Sequence, residues 1–198
     1  MQITLLEENY EKYEKDGKKY NFPDAPKQCP ICKKHVQMKK HGFYLRYFVI
    51  VGFNKKIMIR RYICPECGKT ISFLPYFCIT FFQYYIGLII EYIKETINRT
   101  DTLKSCLERL RKANPDIYIE RQHVYFYTKR FMNNIIHIQH GLRLIIPSIS
   151  FLEKETDKKR RVRELIEIIS NGFESTHVFA KRFRDNCNKA CLASLNLF

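Results

Sequence analysis

Four of the eight cysteines stand in two C-x-x-C pairs, Cys29-Pro30-Ile31-Cys32 and Cys64-Pro65-Glu66-Cys67-Gly68-Lys69. A C-x-x-C turn lets two sulfurs meet one ion while backbone N–H groups point at them. Two such turns complete the tetrahedral thiolate shell that zinc takes in structural sites. A closed shell leaves no open position, so the expectation is one structural Zn²⁺ held by Cys29, Cys32, Cys64 and Cys67, with no catalytic part. Redox chemistry is the rival reading of a C-x-x-C pair, but two copies around a basic segment do not fit it. Four thiolates and Zn²⁺ sum to a charge of −2, and Lys33, Lys34 and Lys69 are close enough in sequence to offset it. The first knuckle carries Lys33 where a glycine often follows the second cysteine, which leaves His35 or His41 as an alternative ligand.

Other candidates for chemistry are weaker. His137 and His140 are spaced i, i+3 for a shared ion but lack a nearby acid in sequence, so they read as surface or partly buried histidines. Cys187 and Cys191 read as free thiols, and Cys78 and Cys106 as core. No Gly-rich phosphate loop, nucleophile elbow or paired-acid motif is present. No residue is expected to be catalytic, and the chain is read as a non-enzyme.

The charge points to a partner. Thirty-five Lys and Arg face twenty Asp and Glu across 198 residues, a net +15, with an isoelectric point near 9.5. Such an excess concentrates polyanions, nucleic acid first and an anionic membrane surface second. The charge is clustered: residues 27–69 hold eleven Lys or Arg and only Glu66 as an acid, and Lys158-Lys159-Arg160-Arg161-Val162-Arg163 forms a second run. No signal peptide is evident, and eight cysteines then suit a reducing, cytoplasmic compartment. Thr70 to Ile90 is free of charge over 21 positions. It contains Pro75, Gln83 and Gly87, and reads as a buried strand followed by a core helix, not a membrane span.

The elements that must position these residues follow from periodicity. Residues 1–27 read as a polar leader with a short helix around Leu5 to Lys15. Residues 28–75 read as a zinc ribbon with strands Phe43 to Val51 and Ile57 to Ile63 about a turn at Gly52-Phe53-Asn54-Lys55. In the second strand Ile57, Ile59 and Ile63 share one face, and Lys56, Met58, Arg60 and Tyr62 the other. Residues 76–147 read as three helices. The first carries Phe82, Ile86, Ile89, Ile90, Ile93 and Ile97. The second is capped by Asp101 and stopped at Asn114-Pro115. The third starts near Ile119 or Glu120 and runs on to Pro147 on Val124, Tyr127, Phe131, Ile135, Ile138, Leu142 and Ile145, with Gly141 as its weak point. Residues 148–198 read as a basic helical region, with one helix over Thr156 to Ser170 and another over Phe173 to Cys187. The expected class is α+β: a small β-hairpin unit, then helices.

Three stretches resemble the N-terminal region of bacterial insertion-sequence transposases and their short stand-alone relatives of unknown function. They are the knuckle CPIC, the segment RRYICPECGKTISFLP at 60–75, and the helix RQHVYFYTKRF at 121–131. The likeness covers roughly residues 28–135. It implies a zinc ribbon followed by a helix-turn-helix, with Tyr127 at the core aromatic position between Val124 and Phe131. Transposases of this kind continue into a catalytic domain with three metal-binding carboxylates. Here Asp157, Glu164, Glu167 and Asp185 lie among Lys and Arg and read as surface charges.

The reading is therefore a duplex-DNA-binding protein without its own catalytic domain. Arg121, Gln122, His123, Phe126, Lys129 and Arg130 of the third helix would face the groove, and Lys55, Lys56 and Arg60 of the hairpin would meet phosphates. A homodimer through the long third helix is the expected assembly. The rivals are an accessory subunit or remnant of a transposase, and an RNA-binding or protein-interaction ribbon using Tyr44, Phe48 and Tyr62.

Overall fold

The computed structural model describes residues 2–5, 7, 9–151 and 157–193. The chain is α+β, with one four-stranded sheet and seven helices among these residues. It divides into two compact units, Met1–Val49 with Phe53–Gln83, and Ile50–Gly52 with Tyr84–Phe198.

The first unit is built on the sheet. Its strands are β1 (Gln2–Leu5), β2 (Lys39–Ile50), β3 (Phe53–Ile63) and β4 (Thr70–Pro75), in the order β1-β4-β3-β2. β2 and β3 form the expected hairpin, but the turn is Val51-Gly52, where Gly52 takes φ 76°. β4 lies antiparallel to β3, with Ile63 opposite Thr70 and Tyr62 opposite Ile71. Ile57 and Ile59 are buried as their alternation requires. Tyr62 is buried too, because its ring meets Phe73 at 5.3 Å and its hydroxyl donates to the Pro23 carbonyl.

The N-terminal segment is more than a leader. β1 pairs parallel with β4, Gln2 opposite Ser72. Helix α1 (Tyr10–Asp16) is capped by the Asn9 side chain, which accepts from the Lys12 N–H, and a 3-10 turn follows at Gly17–Lys19. The expected helix from Leu5 also took in Leu6 and Glu8, which lie outside the described residues. Tyr10, Tyr13, Tyr20 and Phe22 form a continuous set of ring contacts with Phe43, Phe48, Phe53 and Phe77. Tyr13 is 1% exposed, and its hydroxyl donates to the Met58 carbonyl at 2.6 Å. The charges of this segment masked its aromatic spacing in the sequence.

The second unit is helical: α2 (Ile86–Asn98), α3 (Leu103–Ala113), α4 (Arg121–Asn133), α5 (Ile135–Ile145), α6 (Lys158–Asn171) and α7 (Thr176–Cys187). α2 is central, packing against α3, α4, α6 and α7. It begins at Ile86, because Phe82 closes a turn on Ile79 instead. α3 is capped by Thr102, whose hydroxyl accepts from the Ser105 N–H; Asp101, the expected cap, pairs with Arg109 at 2.6 Å. The expected start of α6 at Thr156 lies outside the described residues, and its cap is Asp157.

The expected third helix is two helices. The stripe Val124 to Leu142 is buried throughout, but the helix breaks at Asn134. This residue is 2% exposed, and its side-chain amide donates to the carbonyls of Cys191 and Ala193 at 2.8 Å. A buried amide needs partners, and reaching them turns the chain. Gly141 does not break the helix. It admits α7, since a Cβ there would stand 2.2 Å from the Phe183 ring. Ile135, Ile138 and Leu142 are buried inside the unit.

Tyr13 tests the role of the N-terminal segment. Tyr13→Ala should cost about 3–5 kcal/mol in urea unfolding of the first unit, and Tyr13→Phe about 1 kcal/mol through the lost hydrogen bond. A detached leader would show neither loss.

Candidate metal centre and basic surfaces

The two knuckles fold alike. Cys29 N–H donates to the Lys34 carbonyl at 2.9 Å, and Lys33 N–H to the Cys29 carbonyl at 2.8 Å. In the second, Cys64 N–H donates to the Lys69 carbonyl and Gly68 N–H to the Cys64 carbonyl, both at 3.0 Å. Lys33 and Gly68 occupy the same place and share the left-handed conformation, φ 62° and 65°. The second knuckle is also the connection from β3 to β4, so the sheet delivers it.

The two turns bring four sulfurs together. The ligand atoms of Cys29, Cys32, Cys64 and Cys67 all lie within 4.8 Å of one another. Cys29 Sγ stands 3.9 Å from Cys67 Sγ, and Cys32 Sγ 3.8 Å from Cys64 Sγ, too far for a disulfide. Cys29 and Cys64 are fully buried. The cluster could hold a metal ion, and the soft, closed donor set fits a structural one. His35 and His41 are exposed and stand outside the cluster.

The electrostatics are uneven. The Cys32 N–H draws the Cys29 thiol down to about 6, against the effect of burial. For Cys32 the Lys34 N–H pulls downward, yet burial and hydrogen bonds with the other three thiols push it up to about 11. Lys34 bridges the knuckles through an ion pair to Glu66 at 2.8 Å. The pair holds Glu66 below its ordinary range and Lys34 above its own.

The basic hairpin residues fall on different surfaces. Lys55 pairs with Glu14 at 2.9 Å and lies over the Phe53 ring. Lys56 lies over the half-exposed Tyr47, and the Arg60 guanidinium over Phe43 and Tyr62. Of the three aromatics expected to stack on bases, Phe48 and Tyr62 are buried and Tyr44 sits against Arg61.

α4 has two faces. Val124, Tyr127 and Phe131 are buried, while Arg121, Gln122, Tyr125, Phe126 and Lys129 are exposed. Arg121 and Gln122 border a cleft of about 630 Å³ against α3, opposite Lys104, Glu108 and Arg111. Arg130 lies over the Phe126 ring. His123 has a structural duty: its Nδ1 accepts from the Glu120 N–H at 3.1 Å, half of a capping box with Glu120. Tyr125, 68% exposed, was missed in the sequence; its spacing of four from both Arg121 and Lys129 was the available signal. His137 packs edge-on to Phe183, and burial lowers its pKa. No described acid joins it and His140 in a cluster.

No helix among the described residues is long and apolar enough to cross a membrane. Gly68 and Lys33 offer a matched test of the knuckle backbone. A Cβ at residue 68 meets nothing within 4 Å, so Gly68→Ala should cost about 1–2 kcal/mol from conformation alone. Lys33→Gly should raise stability by about 0.5–1 kcal/mol, strain relief exceeding the added unfolded-state entropy. Thermal unfolding of the metal-loaded proteins reads both.

No curated protein and no solved structure matches this chain. Residues 29–110 match a family model described as a domain of unknown function (DUF6431), a stretch that starts at the first cysteine of the cluster, includes all four, and stops within α3.

Proposed function

We propose that this chain is a zinc-containing duplex-DNA-binding protein, akin to the recognition part of a transposase and without catalysis of its own. Its target would be the end of a mobile element or an operator. The observation that carries the reading is the exposed face of α4. Arg121 and Gln122 open the helix, Lys129 lies two turns on, and the opposite face is locked into the unit by Val124, Tyr127 and Phe131. Arg and Gln match the hydrogen-bonding edges of guanine and adenine in the major groove. A net charge of +15 supplies the attraction. Spacing supports zinc as the metal, because thiolates about 2.3 Å from a tetrahedral ion stand about 3.8 Å apart.

Zinc would be structural. The purified chain should then carry about one Zn²⁺, and Cys64→Ser should unfold the first unit while leaving the helical circular dichroism of the second largely intact. A metal-free chain with an unchanged melting profile would contradict this.

Binding separates into two classes of contact. Affinity for any duplex should fall with salt at a log–log slope of about −0.9 per phosphate neutralised. Lys56→Ala and Arg60→Ala, each alone, should flatten the slope more than Lys55→Ala, since Lys55 already pairs with Glu14. Arg121→Ala should cost about 1–3 kcal/mol on a selected site and relax its specificity, whereas Lys129→Ala should weaken selected and scrambled duplexes alike. If Arg121→Ala changes neither affinity nor preference in a folded protein, α4 is not the reader.

A further inference from the structure

Phe82 N–H donates to the Ile79 carbonyl at 3.1 Å, closing a turn with Thr80 and Phe81 at its centre. Phe81 takes φ 68°. In a turn of this kind the third position favours glycine, because an L side chain there crowds the backbone. A bulky residue with positive φ is an outlier that needs a reason. Two other described non-glycine residues share that sign, and each has one: Lys33 shapes a knuckle, and Asn188 ends α7. Phe81 has no such duty inside the chain, since the residue is 72% exposed.

The turn is held firmly. The Arg46 guanidinium donates to the carbonyls of both Ile79 and Phe82, either side of Phe81. The Thr80 hydroxyl donates to the Gln2 side chain at 2.7 Å, and the Gln83 carbonyl accepts from the Val49 N–H at 2.9 Å. The same strand β2 carries half-exposed Tyr47 with Lys56 over its ring. A ring kept in solvent on a pinned, strained turn gains nothing for the free protein. It is the form an apolar wedge takes when it enters a base step. The occupant follows from charge: at a net +15 the chain attracts a polyanion more than an apolar protein surface.

We infer that Phe81 inserts between base pairs of a bound duplex, unstacking one step. This rests on the duplex-DNA reading above. The ring supplies stacking that is indifferent to sequence, while cations hold the phosphates.

The test compares the full chain with Phe81→Gly and Phe81→Trp on a duplex carrying 2-aminopurine at a flexible TA step, whose fluorescence rises on unstacking. Glycine suits the turn, so Phe81→Gly should melt no lower than the natural protein. The natural protein should bind and raise the fluorescence. Phe81→Gly should lose the rise and bind about tenfold more weakly, and Phe81→Trp should recover both. Equal affinity and an equal rise in Phe81→Gly would overturn the wedge and leave DNA binding standing. Weaker binding with no rise in any of the three would make the ring a surface contact and overturn it too. Failure of the natural protein to bind duplex would remove both readings. Loss of self-association in Phe81→Gly, with duplex binding unchanged, would assign the ring to a protein contact instead.

Discussion

The convergence of four sulfurs at one end of the sheet is the constraint on which the first unit depends. Cys64 follows the last residue of β3, and Lys69 precedes the first of β4. Closing the second knuckle therefore places Ile63 opposite Thr70 and starts the β3–β4 register. The first knuckle precedes β2, so joining the two knuckles also closes the long loop that contains the hairpin. A flexible chain loses considerable entropy on such closure. A metal held by the four thiolates would offset it, since metal–thiolate bonding supplies free energy on the scale of folding itself. The strained φ of Lys33 is tolerated there because the surrounding hydrogen bonds over-determine the turn.

Away from that end, aromatic packing takes over. Tyr10, Tyr13, Tyr20 and Phe22 come from the N-terminal segment and pack with Phe43, Phe48, Phe53 and Phe77. Rings bury much area with few torsions to order, so a small sheet gains a core at modest entropic cost. The sheet thus ends in a cysteine cluster able to hold a metal, and elsewhere it is held by rings contributed from a distant stretch of chain. The second unit uses no such device. Its apolar stripes surround α2, and the two buried polar residues described there are both satisfied, Asn134 by two carbonyls from beyond α7 and Thr96 by the carbonyls of Tyr92 and Ile93.

Packing also sorts the cations that composition can only count. Lys34 and Lys55 are engaged by Glu66 and Glu14. Arg46 is spent on carbonyls, and Arg60 lies between rings. Arg121, Gln122 and Lys129 remain on an exposed helical face with Tyr125 and Phe126. Among the described residues, the excess of positive charge is therefore unequal in its reach toward solvent.

Local pattern settled much of this molecule. The C-x-x-C spacing identified all four clustered cysteines, because the knuckle is a local turn. Alternation in Ile57 and Ile59 and the three-and-four spacing in α2, α3 and α4 named the buried faces, since both periods are properties of short backbone stretches. What needed the tertiary structure was everything decided by distant partners. Gln2–Leu5 is a strand only because β4 offers an edge. Asn134 breaks a helix only because the carbonyls of Cys191 and Ala193 are within reach. Tyr62 is buried where Phe73 and the Pro23 carbonyl cover it, and the turn that carries Phe81 is held by Arg46, Gln2 and Val49 from elsewhere in the chain. No window of sequence contains both halves of those interactions, so no local period could report them.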